Sequence, residues 1–154
     1  MSRLATVSVF LFLSMTNLAS AKAAVSETSV RQAIATFLRM PASPSSKRSM
    51  STIVTFASES DDVSVTVSQK AVPWYGDKEV QHGEVLLCAF ISGNILSQLD
   101  TGVNRDDSYS GLVKVFRVYR YLQKRRKGYS VPAVDRLLQV HKDGKLMKHL
   151  SSGE

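Results

Sequence analysis

Residues 52–69 read TIVTFASESDDVSVTVSQ, and the fold class turns on them. Val63, Val65 and Val67 alternate with Ser64, Thr66 and Ser68, the period of two that marks a strand with one dry face and one wet face. Residues 52–57 form a second run rich in β-branched side chains, and the SESD between the runs carries turn residues. Together they predict an antiparallel β-hairpin, which residues 70–72 could extend as a third strand. A two-stranded ribbon is marginal in water. The hairpin is therefore expected to lie on a helical layer, with edges open to a strand from a partner. The fold class this predicts is α+β.

The helical layer is readable on both sides. Upstream, SVRQAIATFLRM at 29–40 places Val30, Ala33, Ile34, Phe37 and Leu38 on one face and Arg31, Gln32 and Arg39 on the other. Ser29 and Gln32 have the spacing of a capping box, and Pro41 stops the helix. Residues 41–51, PASPSSKRSMS, have no periodicity and read as a flexible loop.

Downstream, residues 84–99 are apolar on nearly every side, as a central buried helix should be. Ala89, Gly93 and Ser97 form a stripe of small side chains where a neighbour could approach closely, and Gly102 is placed to stop the helix. Ser92, Asn94, Ser97 and Gln98 interrupt a run already too short to cross a bilayer. Asp106 and Asp107 supply negative charge to the start of a helix over 109–127, ended by Gly128. Its inner face carries Leu112, Val115, Phe116, Tyr119 and Leu122. A last long helix is capped by Ser130, tolerates Pro132 in its first turn, buries Val131, Val134, Leu137, Leu138 and His141, and closes at Asp143-Gly144. The tail KLMKHLSSGE adds a turn that docks Leu146 and Leu150. The expected architecture is an N-terminal amphipathic helix, the hairpin, and a three-helix C-terminal layer.

The first 25 residues, MSRLATVSVFLFLSMTNLASAKAAV, have the three parts of a secretory signal peptide: Arg3, an apolar stretch, and small residues at Ala19 and Ala21. Cleavage after Ala21 leaves residues 22–154, enough for one small domain. The expected location is a bacterial periplasm, or otherwise a secreted route. Cys88, the single cysteine, excludes an intramolecular disulfide, and LLCAFI around it predicts a buried inert thiol. The formal charge is +7, with 20 Lys and Arg against 13 Asp and Glu. An exported basic chain is drawn to an acidic protein or an anionic envelope surface, whereas nucleic acid is seldom offered there.

No motif names a reaction. There is no GxSxG elbow, and His82, His141 and His149 have neither triad context nor metal-ligand spacing, so neither a cofactor nor a metal is implied. One enzyme-like cluster exists, with Asp77, Glu79 and Glu84 beside Trp74 and Tyr75; paired carboxylates by an aromatic platform suit a small cell-wall-acting glycosidase. The simpler reading of 72–84, VPWYGDKEVQHGE, is a junction in which Trp74 plugs the layer, its N–H finding a partner. Trp74, Tyr75, Asp77, Glu79 and His82 remain a candidate ligand loop. The stronger signal is the outer face of 109–127, where Lys114, Arg117, Arg120, Lys124 and Arg125 gather with Tyr121 and no acid among them. Arg117, Arg120, Tyr121, Lys124 and Arg125 are accordingly the expected partner-binding residues. The function they point to is a non-enzymatic inhibitor, immunity-type or adaptor module that docks an acidic partner; peripheral attachment to anionic lipid is an alternative.

Overall fold

The computed structural model describes residues 24–152, and every regular element among them is an α-helix. In chain order these are α1 (Glu27–Arg39), α2 (Ser46–Glu59), α3 (Gly83–Thr101), α4 (Ser108–Arg125), α5 (Pro132–Lys142) and α6 (Leu146–Ser151). The expected leader at 1–21 lies outside the described residues.

The α+β class with its β-hairpin is overturned, because no strand occurs among the described residues. The run TIVTFA is the second half of α2, which also takes in residues 46–51 of the expected flexible loop. α2 buries Ser46, Ser49, Ile53 and Phe56, a stripe at helical spacing half made of serine. Apolar periodicity is therefore weak there, and the β-branched residues mimic a strand. Strand propensity is mostly fit to a pleated, half-buried surface. With no strand beside it, this run satisfies its backbone internally as a helix and packs on α1 through the short turn 40–45. The buried Ser46 hydroxyl closes that turn by donating to the carbonyls of Pro41 (2.9 Å) and Ser43 (2.7 Å).

The alternation of 63–67 is real, but its pairing is not that of a sheet. The segment is extended and buries Val63 while Ser64 and Thr66 stay exposed. Ser64 donates its N–H to Gln98 Oε1 at 2.8 Å, and its carbonyl accepts from Gln98 Nε2 at 2.7 Å. The Thr66 N–H reaches Asp106 Oδ1 at 2.6 Å. Side chains from α3 and from the turn before α4 thus take the place of a neighbouring strand.

α3 is the central helix, buried from Val85 through Ile95 on most sides. Its small-residue stripe meets the start of α4: a methyl at Gly93 would fall on the Ser110 carbonyl and within 2.9 Å of Gly111 Cα, and one at Gly111 would stand 2.7 Å from Phe90. Gly102 ends α3 at φ 67, the left-handed conformation that glycine adopts without strain. Two caps differ from expectation. Ser26, not Ser29, caps α1 by accepting the Ser29 N–H at 3.2 Å. α5 is preceded by Val131, while Ser130 donates instead to Asp135 at 2.8 Å. Tyr119 fixes that junction, since its buried hydroxyl donates to Asp135 (2.7 Å) and accepts from the Val131 N–H (3.0 Å). No helix among the described residues is long and apolar enough to cross a membrane.

Candidate functional site

α4 carries the candidate site because its sequence is two-faced. Leu112, Val115, Phe116, Val118, Tyr119 and Leu122 are buried against α3 and its neighbours, which turns the opposite side to solvent. Arg117, Tyr121 and Arg125 recur every fourth residue along the border between the two faces. There α4 runs beside the end of α1 without closing on it.

Two hollows open along this border, and Tyr121 is the wall they share. The first, of about 470 Å³, is lined by Ala35, Leu38 and Arg39 from α1 and by Arg117, Val118 and Tyr121 from α4. The second, of about 420 Å³, lies where both helices end and takes Met40, Tyr121, Leu122, Arg125 and Arg126. The Arg125 guanidinium stacks 4.5 Å from the Tyr121 ring centre, which holds the cation over an aromatic face and leaves its N–H edges free. Among the described residues no carboxylate is within ion-pair distance of Arg39, Arg117, Arg125 or Arg126. Among the described residues Arg31, on another side of α1, does pair, with Glu27 at 2.8 Å and Asp100 at 2.7 Å.

Of the predicted partner-binding residues, Arg117, Tyr121 and Arg125 are brought to this groove. Arg120 and Lys124 stand exposed farther round the helix. Arg39 and Arg126 were not singled out from sequence. The signal for Arg39 was its position on the polar side of α1, but only the placement of α1 beside α4 puts it opposite Arg117. Helix ends account for part of the charge, since cations in a last turn are favoured by ~0.3–1 kcal/mol each. Arg39 and Arg125 fit that account. Arg117 sits mid-helix and does not.

The Trp74 loop is assembled differently. Its main chain folds through successive turns: Tyr75 N–H to Val72 O (2.9 Å), Asp77 to Trp74 (3.3 Å) and Val80 to Asp77 (3.3 Å). Trp74 is a plug, 2% exposed, but its indole N–H has no partner among the described residues, contrary to expectation. Tyr75, Asp77, His82 and Glu84 line a shallow hollow of about 450 Å³ above it; Glu79 does not. Asp77, Glu79 and Glu84 are all exposed, and Asp77 is engaged in its own turn, accepting the Glu79 N–H at 2.9 Å. A carboxylic acid held protonated for glycoside cleavage needs a desolvated setting, which this loop does not provide. His82 adopts φ 59 at the start of α3 and meets Tyr129 edge-on at 5.9 Å. Burial and the nearby Arg126 hold its imidazole below the usual histidine range, against the pull of Glu84. His141 packs on Phe116 at 5.2 Å. Among the described residues, no three of His, Cys, Asp and Glu gather as metal ligands would.

A further cleft, of about 540 Å³, lies between the α3–α4 turn and α6 and includes Lys70, Gln98, Arg105, Asp106, Asp107 and Met147. Its polar wall is occupied by the fold. Asn94 donates to Asp106 (2.7 Å) and accepts from Gln98 (2.5 Å) and the Asp107 N–H (3.0 Å), and Ser97 donates to Asp107 (2.5 Å). Burial pushes the Asp107 carboxyl up, but hydrogen bonds from Ser110, Ser97 and the Tyr109 N–H outweigh it and hold the group below the usual carboxylate range.

No known protein family, no curated protein and no solved structure matches this chain.

Proposed function

We propose that the chain is an exported, non-enzymatic binding module that docks an acidic partner protein in the groove between α1 and α4. The observation that carries this reading is the ring of Arg39, Arg117, Arg125 and Arg126 around Tyr121, drawn from two helices and unpaired with any described carboxylate. All four are exposed and so accessible to an anionic surface, and arginine is the cation suited to bidentate carboxylate contacts. Tyr121 and Met40 add apolar surface between the charges, the mixture found at interface centres. The signal-like leader supports export, and the exposed Trp74-loop carboxylates favour binding over catalysis.

The test is capture of partners from an envelope extract by the wild-type chain and by the double variant Arg117→Glu, Arg125→Glu. One protein retained at low salt, released at high salt, and bound at least about tenfold more weakly by the variant is the expected result. Equal retention by both forms would remove the groove from consideration. Binding of the wild type to vesicles of phosphatidylglycerol with no protein captured would replace the acidic partner with lipid.

A further inference from the structure

Residues 63–67, VSVTV, are an extended segment with one edge engaged and the other free. Successive main-chain N–H and C=O groups of an extended chain point to alternate sides. Those of Ser64 and Thr66 turn inward, where Gln98 meets the Ser64 N–H and C=O and Asp106 meets the Thr66 N–H. Those of Val65 and Val67 turn the other way, and neither residue makes a main-chain hydrogen bond to any described residue. On the side chains, Ser64 and Thr66 are exposed and Val67 is 41% exposed, while Val63 is buried and Val65 is half-buried against the core. Open edges of this kind template strand addition and are usually blunted by Lys or Pro, and 61–69 contains neither.

We propose that this edge pairs with the same edge of a second copy of the chain, as a two-stranded antiparallel ribbon centred on Val65. The chain carries its own complement, because the segment reads alike in both directions about Val65. In that register Val65 faces Val65, Val63 faces Val67 and Ser64 faces Thr66. Asp61, Asp62 and Gln69 lie in the turns that flank the extended residues, so the paired stretch 63–67 opposes no charges. The residues with free groups, Val65 and Val67, fall in the hydrogen-bonded pairs, where each residue exchanges both bonds with its opposite. The inner edge of each segment is already taken by Gln98 and Asp106, so the ribbon stops at two strands. The two-fold pairing closes on itself as a dimer rather than growing into a fibre. A ribbon this short buries little area, so the dimer is weak and concentration-dependent.

Sedimentation velocity of the purified chain over a wide concentration series tests the proposal, with Val65→Pro and Val67→Lys alongside. Proline at 65 removes the outward N–H and leaves the inward bonds of Ser64 and Thr66 in place. Lysine at 67 puts a solvated charge on the edge. The wild type is expected to move from monomer to dimer with rising concentration, and the Val65 and Val67 amides to gain protection from hydrogen exchange in step. Val65→Pro loses one bond from each copy, which weakens the dimer at least about tenfold. Val67→Lys, which leaves the backbone untouched, is expected to weaken it too and stands if the proline variant fails to fold. Arg117→Glu is expected to dimerise like the wild type, which separates this edge from the basic groove. A wild type that is monomeric throughout overturns the proposal, as does dimerisation that both edge variants retain.

Discussion

The Gln98 side-chain amide pairs with the main chain of Ser64 in both directions, accepting its N–H at 2.8 Å and donating to its carbonyl at 2.7 Å. One buried glutamine thus does for residues 63–67 what a neighbouring strand does in a sheet. Replacing it with alanine strands both Ser64 groups, while the Asn94 Oδ1 that Gln98 also serves at 2.5 Å keeps the Asp107 N–H at 3.0 Å. Gln98→Ala is expected to cost about 2–4 kcal/mol in urea unfolding, from unsatisfied polar groups and a small cavity. Gln98→Glu keeps an acceptor for the Ser64 N–H but loses the donor, so it is destabilising as well.

The close crossing of α3 and α4 depends on two glycines facing each other's helix. Gly93→Ala drives a methyl into the Ser110 carbonyl and Gly111, and this outweighs the helix propensity that alanine gains, ~1 kcal/mol. A net loss of about 1–3 kcal/mol is expected from thermal or chemical unfolding, with the helical circular dichroism of the folded form retained.

Tyr119 joins α4 to the start of α5 through its hydroxyl. Tyr119→Phe leaves the buried Val131 N–H without an acceptor and removes a donor from Asp135, while the ring still fills its site. The expected cost is about 1–3 kcal/mol. Exchange of the Val131 amide should rise by a larger factor than that of the α3 core.

Acid sensitivity follows from Asp107. Its folded pKa lies below the ordinary value of 3.8, so the charged form is favoured by folding. That contribution is fully present above about pH 4 and is lost as the pH falls through the depressed folded value. Wild-type stability should decline over this acid range. Asp107→Asn, less stable at neutral pH, should show a shallower decline; a parallel decline in both proteins would assign acid sensitivity elsewhere.

Burial pushes the Cys88 thiol up to about 12, with Ser92 pulling weakly the other way. At pH 8 the folded chain should therefore resist alkylation, and labelling should appear only as denaturant unfolds it. Rapid labelling of the native protein would show that α3 opens locally.

α1, α4 and α5 could be read in the residues because each writes an apolar face at a period near 3.6. α3 writes the absence of one, and its all-round apolarity placed it at the centre. The Gly93 stripe and the Gly102 stop were readable for the same local reason: a missing Cβ permits close approach or positive φ wherever it occurs. The basic side of α4 was visible in spacing alone. Half of the candidate groove was not, since Arg39 and Arg126 become its members only when α1 is laid beside the end of α4.

Composition and periodicity determined the amphipathic faces, the buried cysteine and the excess of positive charge, since these depend on near neighbours in the chain. Tertiary contact alone decided between strand and helix at 52–57 and supplied a partner for 63–67. Both segments have strand-like sequence, yet a strand needs a partner for its backbone, and that partner is distant in sequence. The first run found none and closed its hydrogen bonds within a helix on α1. The second remained extended because Gln98 and Asp106, separated from it by more than thirty residues, took up one of its edges.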